Sequence, residues 1–484
     1  MNQIIFPPQL FYDKMYLKEL KTMEMVYIIE EPRYFTDFKF HKLKLAYHRA
    51  SMKKYYDMLK KKKINVKYIE YSHVTNAFYK ALGTVSMIRL PDFDLENKLM
   101  KIFKNKLTIK DNLNFLIKID ELPELKKLIY KNNKYSHDEF YKYQRRKLDI
   151  MITKDKPEGG KWSYDSMNRL PLPKNHIAPE IKPTTKSKYI KEAIAYVEKH
   201  FPDNYGELTN FIYPIESKSA IKWMNQFLKE RLKNFGKYED AVDSEQPFLY
   251  HSVLSPMMNI GILTDTMVVD ISYTYYKKHS IPIESYEGFI RQVIGWRNYV
   301  HTIYLLDGEK MRTTNHLKHK NPLPYKKFWE GTTNMLPIDD IIKKINKYAY
   351  AHHIERLMYL GNFMLLCMID PDDVYKIFME WTIDSYDWVM VPNVYGMSQY
   401  ASPNMMTRPY FSSSNYITKM SNYKRDDIWD SLYYNFINMH YDMLKKNYAT
   451  AQQVKHWDNK TKKEQEETLK KAKEYLNNLL SKNK

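Results

Sequence analysis

Short runs of apolar or β-branched residues open the chain: Gln3–Phe6, Met25–Ile29, Val66–Tyr71 and Val85–Leu90. Their length and composition predict buried strands. Between them, Phe38–Lys63 repeats apolar residues at helical spacing. Strands alternating with helices predict a parallel sheet with crossovers, an α/β region over 1–135. No GxGxxG follows the first run, so the dinucleotide fingerprint is missing. From Lys156 to Lys186 the chain turns rich in Pro and Gly and loses periodicity, which predicts a linker over 136–187. Beyond it strand-like runs nearly vanish. Lys188–His200, Lys218–Leu232, Asp265–His279, Tyr286–Ile303, Asp339–Met368 and Pro371–Ser385 carry apolar residues at helical spacing, predicting an all-α domain over 188–450. The tail over 451–484 reads as a charged helix, and Gln452–Leu480 has so few apolar residues that a solvated helix is expected.

Charge adds a partner class. Lys and Arg number 77 against 57 Asp and Glu, a formal +20, and such a surplus attracts polyanions, nucleic acid above all. Aromatics reach 15%, with 43 Tyr and 8 Trp, which suits stacking on planar ligands. AT-rich codon usage favours Lys and Tyr too, so composition alone weighs little. The run Lys60–Lys63 reads as a solvated helix end. A single cysteine, Cys367, excludes an intramolecular disulfide and any metal site built from several cysteines. No apolar run is long enough to span a membrane, and the N-terminus lacks signal-peptide features; an intracellular, soluble monomer is expected.

Four constellations could carry chemistry. Tyr238 is followed by His251–Thr264, where Ser252 and Ser255 flank Leu254 and Pro256 can open a helix. Hydroxyls and free amides there suit a phosphate, or Ser255 simply caps the helix. Glu287–Tyr304 sets Arg291, Trp296, Arg297 and Tyr299 on one helix, able to hold a phosphate and a base or to form a buried ion-paired face. In Tyr350–Leu366, adjacent His352 and His353 point about 100° apart on a helix, while His353 and Arg356 share a face. In Asp384–Pro403, Asp384 and Asp387 precede a loop with Asn393 and Gly396. Those carboxylates can accept from a ring N–H or a hydroxyl, or pair with Arg356.

In order, FGKYEDAV at Phe235–Val242, HSVLSP at His251–Pro256, EGFIRQVIGWRNYV at Glu287–Val300, YAHHIERLM at Tyr350–Met358 and VPNVYGMSQYA at Val391–Ala401 resemble the photolyase/cryptochrome family, closest to its bacterial-type (6-4) photolyase branch. EEPRYF at Glu30–Phe35, FKFHKLKL at Phe38–Leu45 and GGKWSYDSMNR at Gly159–Arg169 fit as well. The resemblance implies a Rossmann-like antenna domain followed by an all-α FAD-binding domain, acting on UV-damaged DNA. Tyr238, His251, Ser252, Val253, Leu254 and Ser255 would hold the FAD phosphates and ribityl chain. Arg297 and Asp387 count with the cofactor-binding residues. Arg356 and Asp384 would pair beside the flavin ring, with Asn393, Gly396 and Met397 along its edge. His353 would protonate a (6-4) lesion flipped from the duplex, with His352 its neighbour. A cryptochrome-like light sensor and a photolyase for cyclobutane dimers are the alternatives implied.

The chain departs from that branch in three places. Relatives carry four cysteines for an iron–sulfur cluster, whereas here Pro337 and the short loop Ser421–Tyr434 stand at those places. Four thiolates are needed, so no cluster is expected, and Ile428 and Trp429 are expected to pack instead. Trp329 matches the relatives' electron route, but a further aromatic pair is replaced by Ile377 and Phe378; Trp381 or Trp388 is the expected substitute. The first strand ends in Pro7-Pro8-Gln9-Leu10, without the acidic contact for an antenna chromophore, so none is assumed.

Overall fold

The computed structural model describes residues 1–183 and 187–481; residues 184–186 of the expected linker and 482–484 of the tail lie outside them. The four apolar runs form strands β1 (Asn2–Ile5), β2 (Val26–Ile29), β3 (Val66–Ile69) and β4 (Val85–Ile88). A fifth, β5 (Leu107–Lys110), was not expected. It lies at the sheet edge, where Leu-Thr-Ile-Lys leaves too short an apolar signal to stand out. All pairs are parallel, in the order β3-β2-β1-β4-β5.

That order creates a switch point beyond the ends of β1 and β4, where open α/β sheets commonly bind ligands. Here side chains fill it. Gln9 is fully buried; its Oε1 accepts from the Phe6 amide at 3.1 Å and its Nε2 donates to the Ile88 carbonyl at 2.6 Å. The next amide, Leu10, donates to the Ile260 carbonyl of the helical region at 2.9 Å. The Pro-Pro-Gln-Leu turn therefore plugs the crevice and docks the sheet on the helices.

The helical region follows the predicted periodicity except where the candidate motifs lie. Tyr286–Ile303 is divided among a helix Ile283–Ile290, a π-helical turn Arg291–Arg297 and a helix Asn298–Met311. Asp339–Met368 breaks after Leu336–Tyr348 at Ala349, which adopts a left-handed φ of 51°. It resumes through a π turn Glu355–Gly361 and a short helix Asn362–Leu366. A third π turn covers Pro392–Ser398. Wide turns of this kind recur at functional sites.

Within the segment expected as a linker, His137–Lys147 is a helix whose His137 stacks on Trp296 at 3.9 Å. The tail forms helices Ala451–Asp458 and Lys462–Leu480. The second is not merely solvated. Ala472, Leu476 and Leu479 are buried, the Tyr475 hydroxyl donates to the Thr333 carbonyl at 2.8 Å, and Lys327 Nζ donates to the Leu479 carbonyl at 3.0 Å. A stripe this narrow is easily hidden by surrounding Lys and Glu. Of the stretch Ser421–Tyr434, expected as a short loop, the part from Asp427 on opens a helix, Asp427–Met439; Tyr423 and Trp429 are buried and Ile428 is half-buried. Trp429 Nε1 donates to the Ser412 carbonyl at 3.0 Å, and its ring lies 5.9 Å from Phe363. Cys367 is fully buried, and burial raises its thiol pKa. Among the described residues, no helix is long and apolar enough to cross a membrane.

Candidate active site

The centre of the site is the ion pair Arg356–Asp384: Arg356 Nη2 donates to Asp384 Oδ2 at 3.1 Å, and Nη1 lies 2.9 Å from Oδ1. Ser255 donates its hydroxyl to Asp384 at 2.5 Å, and Asn259 Nδ2 donates to the Asp384 carbonyl at 2.7 Å. Ser255 is thus not a cap: Leu254 holds the N-cap position of Ser255–Asn259, with Pro256 in its first turn. Burial opposes the Asp384 charge, but Arg356 and the hydrogen bonds from Arg356 and Ser255 outweigh it and hold the carboxyl below its ordinary value. Arg356 Nε donates to the Ala351 carbonyl at 2.6 Å. From the α/β side, Lys44 Nζ reaches the carbonyls of Met379 at 3.0 Å and Ser385 at 2.5 Å, bracketing the Asp384 turn; burial pulls this amine down to about 7.

Beside the pair stand three histidines. His251 and His352 are buried and stack at 4.4 Å with 16° between planes, and His353 lies edge-on to His251 at 5.4 Å. His352 precedes the resumed helix rather than lying within it, so the expected helical angle between the two histidines does not apply. Burial and the neighbouring charges push His251 and His352 well below the ordinary histidine pKa. His353 differs. Its side chain is 42% exposed and its Nε2 lies 3.5 Å from Asp240. Desolvation works against its charge, but the hydrogen bond to Asp240 and the nearby Glu239 and Asp240 carboxylates raise its pKa. Glu239 is held by Asn168 Nδ2 at 2.5 Å and Gln292 Nε2 at 2.6 Å, with Arg291 3.6 Å away. Asp240 lies 3.8 Å from Arg169. Sequence reasoning missed Glu239, Asp240 and Asn168 as functional neighbours, although all three lie inside the quoted motifs.

The turn that carries His251 is strained. Val253 has φ of 53°, a left-handed conformation that a β-branched residue rarely adopts and that tends to persist at ligand sites. Trp223 Nε1 pins it by donating to the Ser252 carbonyl at 2.9 Å. Among the described residues, His251 Nε2, both ring nitrogens of His352 and Arg297 Nη2 are buried without a hydrogen-bond partner. Orphaned donors and acceptors around a strained turn suit a large polar ligand.

Other expected residues fall elsewhere. Arg297 Nε donates to Asp265 at 2.6 Å and its Nη1 to Asn259, which links it to Asp384. Asp387 is drawn away: it accepts from the hydroxyls of Tyr304 and Tyr375 and faces Arg33 and Arg312, each at 3.7 Å. Its carboxylate thus serves the seam between the two regions and is not free for a cofactor. Trp388 packs against Phe115 at 4.8 Å and His301 at 5.8 Å, apart from the other tryptophans. Tyr238, half-buried, stacks on Tyr250 at 5.5 Å. Asn393 donates to the Val389 carbonyl at 2.7 Å. A side chain on Gly396 would run into Met405 Sδ, so this glycine serves close packing, with Met397 buried beside it. Trp381 and Trp329 lie edge to face at 6.2 Å, and Trp329 stacks on half-buried Tyr205 at 4.5 Å.

A family model described as deoxyribodipyrimidine photo-lyase-related protein matches residues 3–213. A (6-4) photolyase of Agrobacterium fabrum is 37% identical over 332 residues, covering 66% of this chain and 65% of that protein. Over these stretches the chain is similar to the photolyase-related family. The matched stretch spans less than two thirds of the Agrobacterium fabrum relative. An uncharacterised protein of Acanthamoeba polyphaga mimivirus is 49% identical over 130 residues, covering 25% of this chain and 100% of that protein. The crystal structure of a bacterial class III photolyase from Agrobacterium tumefaciens superposes with a TM-score of 0.60 at 15% identity, covering 98% of this chain and 97% of that one. The photolyase fold, a parallel α/β region followed by a helical region, therefore extends over the whole chain.

Proposed function

We propose that this protein is a light-driven DNA photolyase that binds FAD and repairs (6-4) pyrimidine photoproducts. The observation that carries the reading is His353: a half-exposed imidazole beside the buried Arg356–Asp384 pair, its Nε2 3.5 Å from Asp240 and its pKa raised by Asp240 and Glu239. The two histidines behind it are held neutral. The relative named a (6-4) photolyase supports the same reading.

FAD, when bound, would supply light absorption and the electron. Asp384 would accept from its ring N–H groups, Arg356 would hold Asp384 ionised, and the His251–Ser255 turn would face the polar chain. The flipped lesion would meet His353, whose ring proton not engaged by Asp240 would pass to the oxygen or nitrogen that moves between the two bases. The edge-to-face and stacked rings Trp381, Trp329 and Tyr205 lead outward and would resupply electrons. Phe378 and Ile377, which are not readily oxidised, would be bypassed, and Trp388 lies off this line.

The deciding experiment illuminates the reduced protein with oligonucleotides that carry a (6-4) photoproduct or a cyclobutane dimer. Restoration of the (6-4) lesion alone is expected. Dimer repair alone would make this a different photolyase, and repair of neither would leave a light sensor. Two further outcomes follow. Trp329→Phe should abolish most flavin photoreduction seen by transient absorption, and an unchanged yield would remove the proposed route. Because the His353 pKa is raised, the donor is charged below it, and repair should fall as pH rises through it. Asp240→Asn should lower that pKa and move the fall to lower pH. Repair rates measured from about pH 6 to 9 test this, and an unmoved profile would detach His353 from Asp240.

A further inference from the structure

Arg231 stands between the helices Ser217–Glu230 and Leu232–Phe235, and only 1% of it is exposed. Among the described residues, none of its three guanidinium nitrogens has a hydrogen-bond partner. Its sequence neighbour Glu230 is more exposed and lies 3.7 Å from Lys182, and residues 184–186, Thr-Thr-Lys, contain no carboxylate. Arg231 is the one buried arginine whose Nε, Nη1 and Nη2 are all without hydrogen-bond partners among the described residues. Every other buried guanidinium has an identified acceptor: Arg49 has Glu30, Arg145 the Ile150 and Met151 carbonyls, and Arg291 Asp165.

An isolated buried charge is strongly disfavoured unless something pairs with it. Burial alone drags this guanidinium down to about 10. Its surroundings show where the counter-charge belongs. The guanidinium lies over the Phe227 ring at 5.8 Å, Phe227 packs on Phe235 at 6.1 Å, and Phe235 lies edge-on to His251 at 5.9 Å, in the site described above. Trp223, two helical turns before it, pins the strained His251–Leu254 turn through the Ser252 carbonyl. His251 Nε2, on that turn, is itself buried and unpartnered.

We infer that Arg231, with His251 and the Ser252 turn, is the receptor for the pyrophosphate of the bound dinucleotide, and is the residue that selects FAD over phosphate-free flavins. This rests on the proposed FAD binding and names a residue that no motif in the sequence singled out. The two phosphates carry the negative charge the guanidinium lacks, and its planar fork suits their oxygens.

The test uses the full chain stripped of flavin, as wild type, Arg231→Met and Arg231→Lys. Arg231→Met should weaken FAD by about ten- to a hundredfold, the scale of one or two charge-assisted hydrogen bonds, and leave riboflavin affinity unchanged. Arg231→Lys should fall between. The stripped Arg231→Met protein should also melt higher than stripped wild type, because an uncompensated buried charge is gone; a merely structural arginine would give the opposite sign. Inorganic pyrophosphate should raise the melting temperature of stripped wild type and not of Arg231→Met. Equal losses for FAD and riboflavin, unchanged FAD affinity, or a lower melting temperature would each overturn the assignment. If wild type took up no FAD, the proposed function would fall, while the pyrophosphate shift would still decide the role of Arg231.

Discussion

Replacing His353 with alanine is expected to lower repair of (6-4) lesions by about a hundredfold or more, the usual contribution of a positioned general acid, while flavin content and stability stay near wild type. Both halves of that expectation follow from placement. The side chain is 42% exposed, facing Asp240 and touching the buried rings only at the edge of His251, and removing such a group ordinarily changes stability by less than about 0.5 kcal/mol. Its charge is what the substitution removes. Neither neighbour can take over, because desolvation holds His251 and His352 neutral. His352→Ala makes the contrast: that ring is buried and stacked on His251, so its loss should cost stability as well as activity. Repair yield, flavin absorbance and thermal melting, measured on both variants, separate the two roles. Undiminished repair by His353→Ala would remove the proton-donor assignment.

Much of this architecture could be read from the sequence where one physical signal dominates. Four strands of the sheet announce themselves because buried parallel strands are continuous apolar runs, and the helical half because its helices carry a wide apolar stripe. The misreadings have equally specific causes. Edge strand Leu107–Lys110 offers two apolar residues, and the tail helix hides Leu476 and Leu479 among Lys and Glu. Helical periodicity runs straight through Tyr286–Ile303 and Asp339–Met368, yet π turns and the left-handed Ala349 break both. Such breaks hardly disturb an apolar pattern but re-aim every side chain beyond them, so the motif residues were legible and their partners were not. Asp384 and Asp387, three apart, diverge for a related reason, because one helix ends at Trp381 and the next opens at Asp387: one meets Arg356 and the other turns to Tyr304, Tyr375, Arg33 and Arg312. Arg231 was illegible for a further reason. A buried charge without a partner leaves no trace in sequence, and only packing exposes it.

The same divergence of the two aspartates gives the second large effect. Asp384→Asn keeps the size of the side chain and can still accept from Ser255, but it leaves the Arg356 guanidinium, 17% exposed, without its counter-ion. Breaking one member of a buried pair costs about 3–5 kcal/mol, so the variant should unfold at markedly lower denaturant. Its sign with pH is fixed by the direction of the shift. The folded-state pKa of Asp384 lies below the unfolded value, so the pair's stabilisation is complete above the unfolded pKa and is lost as pH falls through the folded one. Wild type and Asp384→Asn should therefore differ at neutral pH and converge in acid. Asp387→Asn supplies the control, since it too weakens a buried charged cluster but at the seam between the two regions. Both variants should lose stability, and only Asp384→Asn should lose bound flavin out of proportion to it. The ratio of flavin absorbance to folded protein, taken at matched stability, reads that difference. Equal flavin retention in the two variants would confine Asp384 to a structural role and remove the carboxylate from the proposed cofactor site.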